Sequence, residues 1–250
     1  RITHLIYFLF ISKYMINKYI IIIVNILFLS IHYMETDLQA YISALHYDVP
    51  IENPDESYDN IDRKIGQFDF KIDREKSDHN ILTSYNQTNN LLSLNHRGTS
   101  KNEDIISDLA YGIGLEKYNS QFDERRFKTK NILKQYSSKN PEIFLHGHSL
   151  GGATLSYAIG KSPSIIHNVK EVNTFNTASH PFFNNLVIDK DIHKNELNKK
   201  VKHHRAGGDI VSKFIKNNNP FGKNIKYKIG KKNQGLFNSH KLKHFSKYLN

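Results

Sequence analysis

Apolar and polar positions change rhythm several times along this 250-residue chain, and each rhythm predicts a different element. Phe68, Phe70 and Ile72 alternate with Asp69 and Lys71, the period of an early edge strand. Residues 91–95 (LLSLN) and 142–146 (EIFLH, after Pro141) are short and mostly apolar, and each predicts a strand; residues 200–206 (KVKHHRA) are a further strand candidate. Phe122, Phe127, Ile132, Leu133 and Tyr136 recur at helical spacing and predict a helix whose apolar residues make core contacts. The small and apolar residues 153–159 (ATLSYAI) before Gly160 predict a second helix, and Leu242, Phe245 and Leu249 a terminal helix docked on the body.

The first 33 residues are different: residues 5–11 and 20–29 are apolar stretches, the second broken only by Asn25. Read from Met15, Lys18 and the run that follows resemble a secretory signal without a convincing small-residue cleavage site. As an uncleaved anchor, Lys13 and Lys18 before the stretch and Glu35 and Asp37 after it would keep the N-terminus cytoplasmic. In a third reading Met34 opens the domain at METDLQAYISALHYD. The first two place the protein outside the cell or on a membrane, the third in the cytoplasm, and the sequence leaves all three open. Residues 34–250 are then expected to form one domain, since a chain with 38% hydrophobic and 12% aromatic residues can bury one sizeable core but is short for two enzyme domains.

Six residues, GHSLGG at 147–152, carry the sharpest chemistry. A strand turning abruptly into a helix forces its turn residue into a strained backbone, and neighbours with a Cβ would collide there; Gly147 and Gly151 remove the collision. Ser149 is thereby a candidate nucleophile for acyl transfer. The Leu150 backbone N–H, at the positive end of the following helix, faces the oxyanion that forms on attack. A serine of this kind needs a histidine to take its proton and an acid to orient that histidine, in the chain order serine, acid, histidine. Beyond residue 210 the histidines are His240 and His244. His240 is preferred because it follows Gly235 and Ser239 at the start of the predicted terminal helix, where its reach is freer. Among the acids between, Glu171, Asp189, Asp191, Glu196 and Asp209, the last follows Gly207 and Gly208 at the end of the 200–206 strand, where sites are built in α/β folds. A second oxyanion donor is expected from a loop after an earlier strand, and residues 91–95 lead into HRGTS, offering Thr99, with Arg97 and Gly98 shaping the turn.

With GHSLGG at 147, HRGTS at 96, GDIVS at 208 and a late histidine in this order, the chain resembles the class 3 lipases, the family of the fungal triacylglycerol lipases, over roughly residues 38–250. The resemblance implies an α/β-hydrolase fold, a mostly parallel central sheet flanked by helices. It also implies a triad of Ser149, Asp209 and His240, oxyanion donors Thr99 and Leu150, and a lid over residues 100–109 (SKNEDIISDL) with Asp108 and Leu109 in the family's places. Several features mark a divergent member: Ile105 stands where a lid tryptophan is common, residues 174–181 (TFNTASHP) match the family strand end only loosely, and there is no cysteine.

That absence of cysteine excludes disulfides, thiolate metal sites and a cysteine nucleophile. No metal or organic cofactor is expected. Charge is uneven: the chain carries +11 overall, while residues 194–250 hold 15 Lys and Arg against two acids, Glu196 and Asp209. A basic face of this kind attracts anionic surfaces through salt-sensitive electrostatics. The expected partners are therefore a lipid or small-ester substrate and a membrane or lipid-droplet surface. No helix-turn-helix, zinc-finger or RNA-binding signature accompanies the charge, so nucleic acid is the weaker partner. The expected function is a serine-dependent lipase or carboxylesterase. The alternatives are a phospholipase acting on anionic membranes and, from another class, an inactive hydrolase-fold protein that binds membranes or nucleic acid through its basic C-terminal region.

Overall fold

The computed structural model describes residues 36–50, 54–98, 119–177, 191–209, 221–228 and 241–249. The proposed N-terminal signal or anchor, Thr99, the lid segment, Asp189 and His240 lie outside the described residues.

The chain runs through α1 (36–45), α2 (Asp55–Ile65), β1 (Phe70–Ile72), β2 (Ile81–Asn86), β3 (Leu91–His96), α3 (Asn119–Tyr136), β4 (Glu142–His148), α4 (Leu150–Lys161), α5 (Pro163–His167), β5 (Val169–Phe175), α6 (Asp191–Lys200), β6 (Val201–Ala206) and β7 (Lys223–Tyr227). The seven strands form one sheet in sequence order. β1, β2 and β3 pair antiparallel, and β3 to β7 are parallel throughout, so the sheet is mostly parallel as expected of an α/β-hydrolase. Of the alternating 68–72 segment only Phe70–Ile72 forms the predicted edge strand, since Phe68 closes a 3-10 turn and Asp69 takes a left-handed backbone, while the 91–95, 142–146 and 200–206 strands are present.

Because strand side chains alternate, each strand feeds both faces of the sheet. On one face Leu92, Leu94, Ile143, Leu145, Val172 and Val201 pack against Ile132 and Tyr136 of α3, Leu155 and Ile159 of α4, Ile165 and Ile166 of α5 and Leu197 of α6. On the other, Ile42 and Leu45 of α1 and Tyr58, Ile61 and Ile65 of α2 cover Phe70, Ile72 and Leu82, while Leu242 and Phe245 join Ala40, Phe175 and Ala206.

Two sequence expectations change. The terminal segment docks through Leu242 and Phe245 as predicted, yet it forms two 3-10 turns, Leu242–His244 and Lys247–Leu249, in place of a helix. In α3, Phe122, Ile132 and Tyr136 are buried and Leu133 packs on the core, but Phe127 is 53% exposed under the Arg126 guanidinium, 4.2 Å from its ring centre. Its phase falls outside the buried stripe. Among the described residues no helix is long and apolar enough to cross a membrane.

Candidate active site

Parallel registers bring the carboxyl ends of the strands into one row, where loops can build a site. His96 of β3 lies opposite Gly147 of β4, His148 opposite Phe175 of β5, and Phe175 opposite His204 of β6. Ser149 stands at the end of β4 with φ 56° and ψ −123°, a left-handed backbone that a side chain rarely adopts. The strain is held by its surroundings: the Ser149 N–H donates to the Phe175 carbonyl at 3.0 Å, and its own carbonyl accepts from Ala153 at 3.3 Å as α4 begins. A Cβ on Gly147 would come within 2.7 Å of the Gly151 carbonyl carbon, and one on Gly151 within 2.0 Å of the His96 oxygen. Those two glycines let β3, the elbow and α4 approach each other. Leu150 opens the twelve-residue α4, its side chain buried with Phe122 and Ala153. Its N–H is one of the first-turn groups that a helix leaves without an intrahelical acceptor.

The loop leaving β3 is braced from two sides. Arg97 donates from Nη1 to the Val49 carbonyl and from Nη2 to the Tyr47 carbonyl at 3.0 Å, and Arg125 of α3 donates from Nη1 to the Arg97 carbonyl at 2.6 Å and from Nη2 to Asn80 Oδ1 at 2.8 Å. Burial lowers the Arg125 pKa to about 10, leaving it charged at neutral pH. Beneath the elbow the His96 ring lies between the Thr154 and Thr129 hydroxyls, at 3.1 and 2.9 Å. Burial holds this ring well below the usual histidine range, with the Arg125 charge acting in the same direction.

Two strands further along the same edge, β6 ends in a turn from which Asp209 donates its N–H to the Ala206 carbonyl at 3.2 Å. Its side chain is 1% exposed. Burial lowers the pKa of neighbouring Arg205, and the Asp209 charge opposes that shift. The rival acids have other tasks. Glu171, within β5, pairs with Lys202 of β6 and accepts from Asn173 at 2.5 Å; Glu196, within α6, pairs with Lys200 at 2.8 Å and His167 at 2.9 Å; Asp191 opens α6. Among the described acids between the elbow and the C-terminal turns, Asp209 is the one buried at the strand ends.

On the histidine side, half-buried His244 closes the first 3-10 turn, which Leu242 opens and Phe245 follows. The Phe245 ring packs against Phe175 at 5.3 Å, and Phe175 is the residue whose carbonyl holds the Ser149 N–H. The C-terminal turns are thus anchored beside the elbow. Sequence reasoning missed Tyr47, whose hydroxyl meets His148 Nδ1 at 2.7 Å, and Arg125. Nothing local marks either one, since both act on residues distant in the chain. Among the described residues no three His, Cys, Asp or Glu side chains gather to hold a metal ion.

A mostly parallel sheet with helices on both faces, a strained serine at a strand-to-helix elbow and a buried carboxylate two strands along are features of the α/β-hydrolase fold. Residues 128–249 match the family model "Putative serine esterase (DUF676)", a span that includes the elbow, Asp209 and the C-terminal turns. No curated protein matches the chain. Among solved structures, a deletion mutant of the Rhizomucor miehei lipase in complex with its propeptide is 18% identical, with a TM-score of 0.52 over 87% of this chain and 76% of that one. The lipase from Rhizopus microsporus var. chinensis is 17% identical, with a TM-score of 0.48 over 72% and 68%, and a triacylglycerol lipase from Penicillium expansum is 16% identical, with a TM-score of 0.43 over 83% and 81%. At these identities the likeness is one of fold. The family model and the lipase-like fold together support a hydrolase of the lipase or esterase kind.

Proposed function

We propose that the protein is a serine-dependent lipase or carboxylesterase that cleaves lipid esters through an acyl-enzyme. The observation that carries this reading is Ser149 itself, held at positive φ between β4 and the start of α4. His240 takes the Ser149 proton as the hydroxyl attacks the ester carbonyl, the backbone N–H groups of Leu150 and Thr99 receive the oxyanion, and His240 protonates the departing alcohol before activating water for deacylation. Asp209 orients the imidazole. The packing of the C-terminal turns on Phe175 supports a base from the end of the chain, with His244 as the alternative to His240. Ser149→Ala should lower turnover of short p-nitrophenyl esters by on the order of 10⁴- to 10⁶-fold with the melting temperature retained. Residual turnover within tenfold of wild type would reject the nucleophile.

One observation favours a phospholipase acting on anionic surfaces. Edge strand β7 and the residue after it expose Lys223, Lys226 and Lys228. The bland reading of edge lysines is protection against strand pairing between molecules. Hydrolysis of anionic against zwitterionic vesicles at low and high salt separates the two: a preference for anionic vesicles that fades with salt supports membrane docking, and equal rates reject it.

A further inference from the structure

Three segments distant in the sequence meet at Gly98. A Cβ placed on it would lie 2.1 Å from the Tyr47 hydroxyl oxygen, 2.8 Å from the His148 carbonyl oxygen and 3.2 Å from Ser149 Cβ. The turn after α1, the exit of β3 and the nucleophile elbow are therefore in contact at one point, with no room for a side chain on the middle member. Tyr47 supplies the polar link between them. Its hydroxyl lies against Gly98 and 2.7 Å from His148 Nδ1, within hydrogen-bonding distance of that nitrogen. His148 is the residue immediately before Ser149, and its ring stands edge-on to Tyr47 with centres 5.6 Å apart.

The tyrosine is itself held firmly. The Arg97 guanidinium lies over its ring, 5.5 Å from the centre, and binds its carbonyl at 3.0 Å. Burial pushes the phenol well above its ordinary pKa of 10, against the pull of Arg97 and the Gly98 N–H. It stays protonated throughout the range in which an esterase is assayed, so any effect on rate comes from geometry and not from proton transfer.

We infer that Tyr47 is a positioning residue of the proposed site, its hydroxyl wedged against Gly98 and linked to His148 Nδ1 so that the β3 exit keeps a fixed distance from the Ser149 elbow. This rests on the serine-hydrolase reading. Under that reading one oxyanion donor, Thr99, follows Gly98 directly in the sequence and the other, Leu150, follows Ser149. A hydroxyl that ties Gly98 to the elbow sets the spacing of the two donor-bearing segments, and displacements of an ångström at such a site cost rate and not binding.

The test compares Tyr47→Phe with wild type in p-nitrophenyl ester kinetics, fluorophosphonate labelling and thermal melting. The substitution keeps the ring on Arg97 and removes one oxygen. The expected result is a kcat lower by on the order of tenfold to a hundredfold, KM within about twofold, and limbs of the pH–rate profile at unchanged positions. Labelling should slow in parallel with kcat while the melting temperature stays within a few degrees. A variant with wild-type kcat, or one whose loss lies in KM alone, overturns the positioning role while the serine-hydrolase reading stands. A wild type inert to both ester and fluorophosphonate overturns that reading and the inference with it. Should Tyr47→Phe fail to fold, His148→Ala removes the other end of the link: a comparable loss in kcat supports the inference, and wild-type kcat overturns it.

Discussion

On the face of the sheet covered by α3 to α6, Leu94, Leu145, Val172 and Val201 meet Leu155, Ile159 and Leu197 in an aliphatic layer, whereas under α1 the same strands present Ser93, Asn95, His146 and Asn173 to Gln39, Ser43 and His46. The aliphatic layer stabilises by area and tolerates small shifts. The seam under α1 works by direction. Ser43 donates to Asn95 Oδ1 at 2.7 Å, which leaves His146 Nδ1–H to donate to Ser43 Oγ at 2.8 Å and its Nε2 to accept from Ser93 at 2.6 Å. Asn95 donates to His46 Nδ1 at 2.7 Å, and His46 Nε2–H donates to the Asp78 carbonyl at 3.0 Å. Further along, Asn173 donates to Gln39 at 2.9 Å and its oxygen receives His204 Nε2–H at 2.7 Å. Buried polar groups are costly unless paired, so these bonds seat α1 at one register, and at its end Tyr47 reaches His148 beside Ser149. Both faces bury apolar side chains, and the one under α1 adds a polar seam that fixes where Tyr47 sits.

The sharpest way to break the comparison is on the aliphatic side. Leu145 is fully buried in β4, and Leu145→Ala should cost about 3 kcal/mol in urea unfolding with no change in the pH dependence of stability. A loss below about 1 kcal/mol would mean that this face does not carry the core.

Acid should act through the polar side. Burial pushes His46, His146 and His204 down to about 3 from the ordinary 6.5; the Arg97 and Arg125 charges add to the effect at His46, His46 adds to it at His146, and Lys202 and His203 add to it at His204. Between about pH 3 and 6.5 the unfolded chain binds protons that the folded chain refuses. Stability is therefore unaffected by these groups above about pH 7 and falls as pH drops below 6.5, by up to about 1.4 kcal/mol per pH unit for each histidine. Urea midpoints at pH 7.5, 6.0 and 5.0 measure this, and His146→Gln should flatten the slope. A midpoint that holds steady from pH 7.5 to 5.0 would show that the rings are not held neutral.

The smallest effect belongs to neither face. Phe127→Ala on the solvent side of α3 should change stability by less than about 0.5 kcal/mol. A cost of a full core phenylalanine would show that its ring is buried in solution.

Where the physics is local, the sequence alone was enough. A serine forced into a left-handed turn between strand and helix needs small neighbours within two residues, so GHSLGG announces the elbow by itself, and period-two alternation announces an edge strand that forms at Phe70–Ile72. Asp209 was legible as a carboxylate just past a strand, and its near-complete burial came with the tertiary structure. The 3-10 turns at the C-terminus and the exposure of Phe127 were not legible, because spacing tells which residues share a stripe and not how the chain closes around it. α1 is the plainest case. Gln39, Ser43 and His46 recur at helical spacing and on pattern alone would mark a solvated stripe, yet they point inward because the sheet beneath supplies Asn173, Asn95 and His146 as partners. A polar group is indifferent to burial until its hydrogen-bond partner is known, and those partners come from strands far along the chain. That is why the strained elbow could be read from six consecutive letters, while the tyrosine that reaches the histidine beside it required the whole fold.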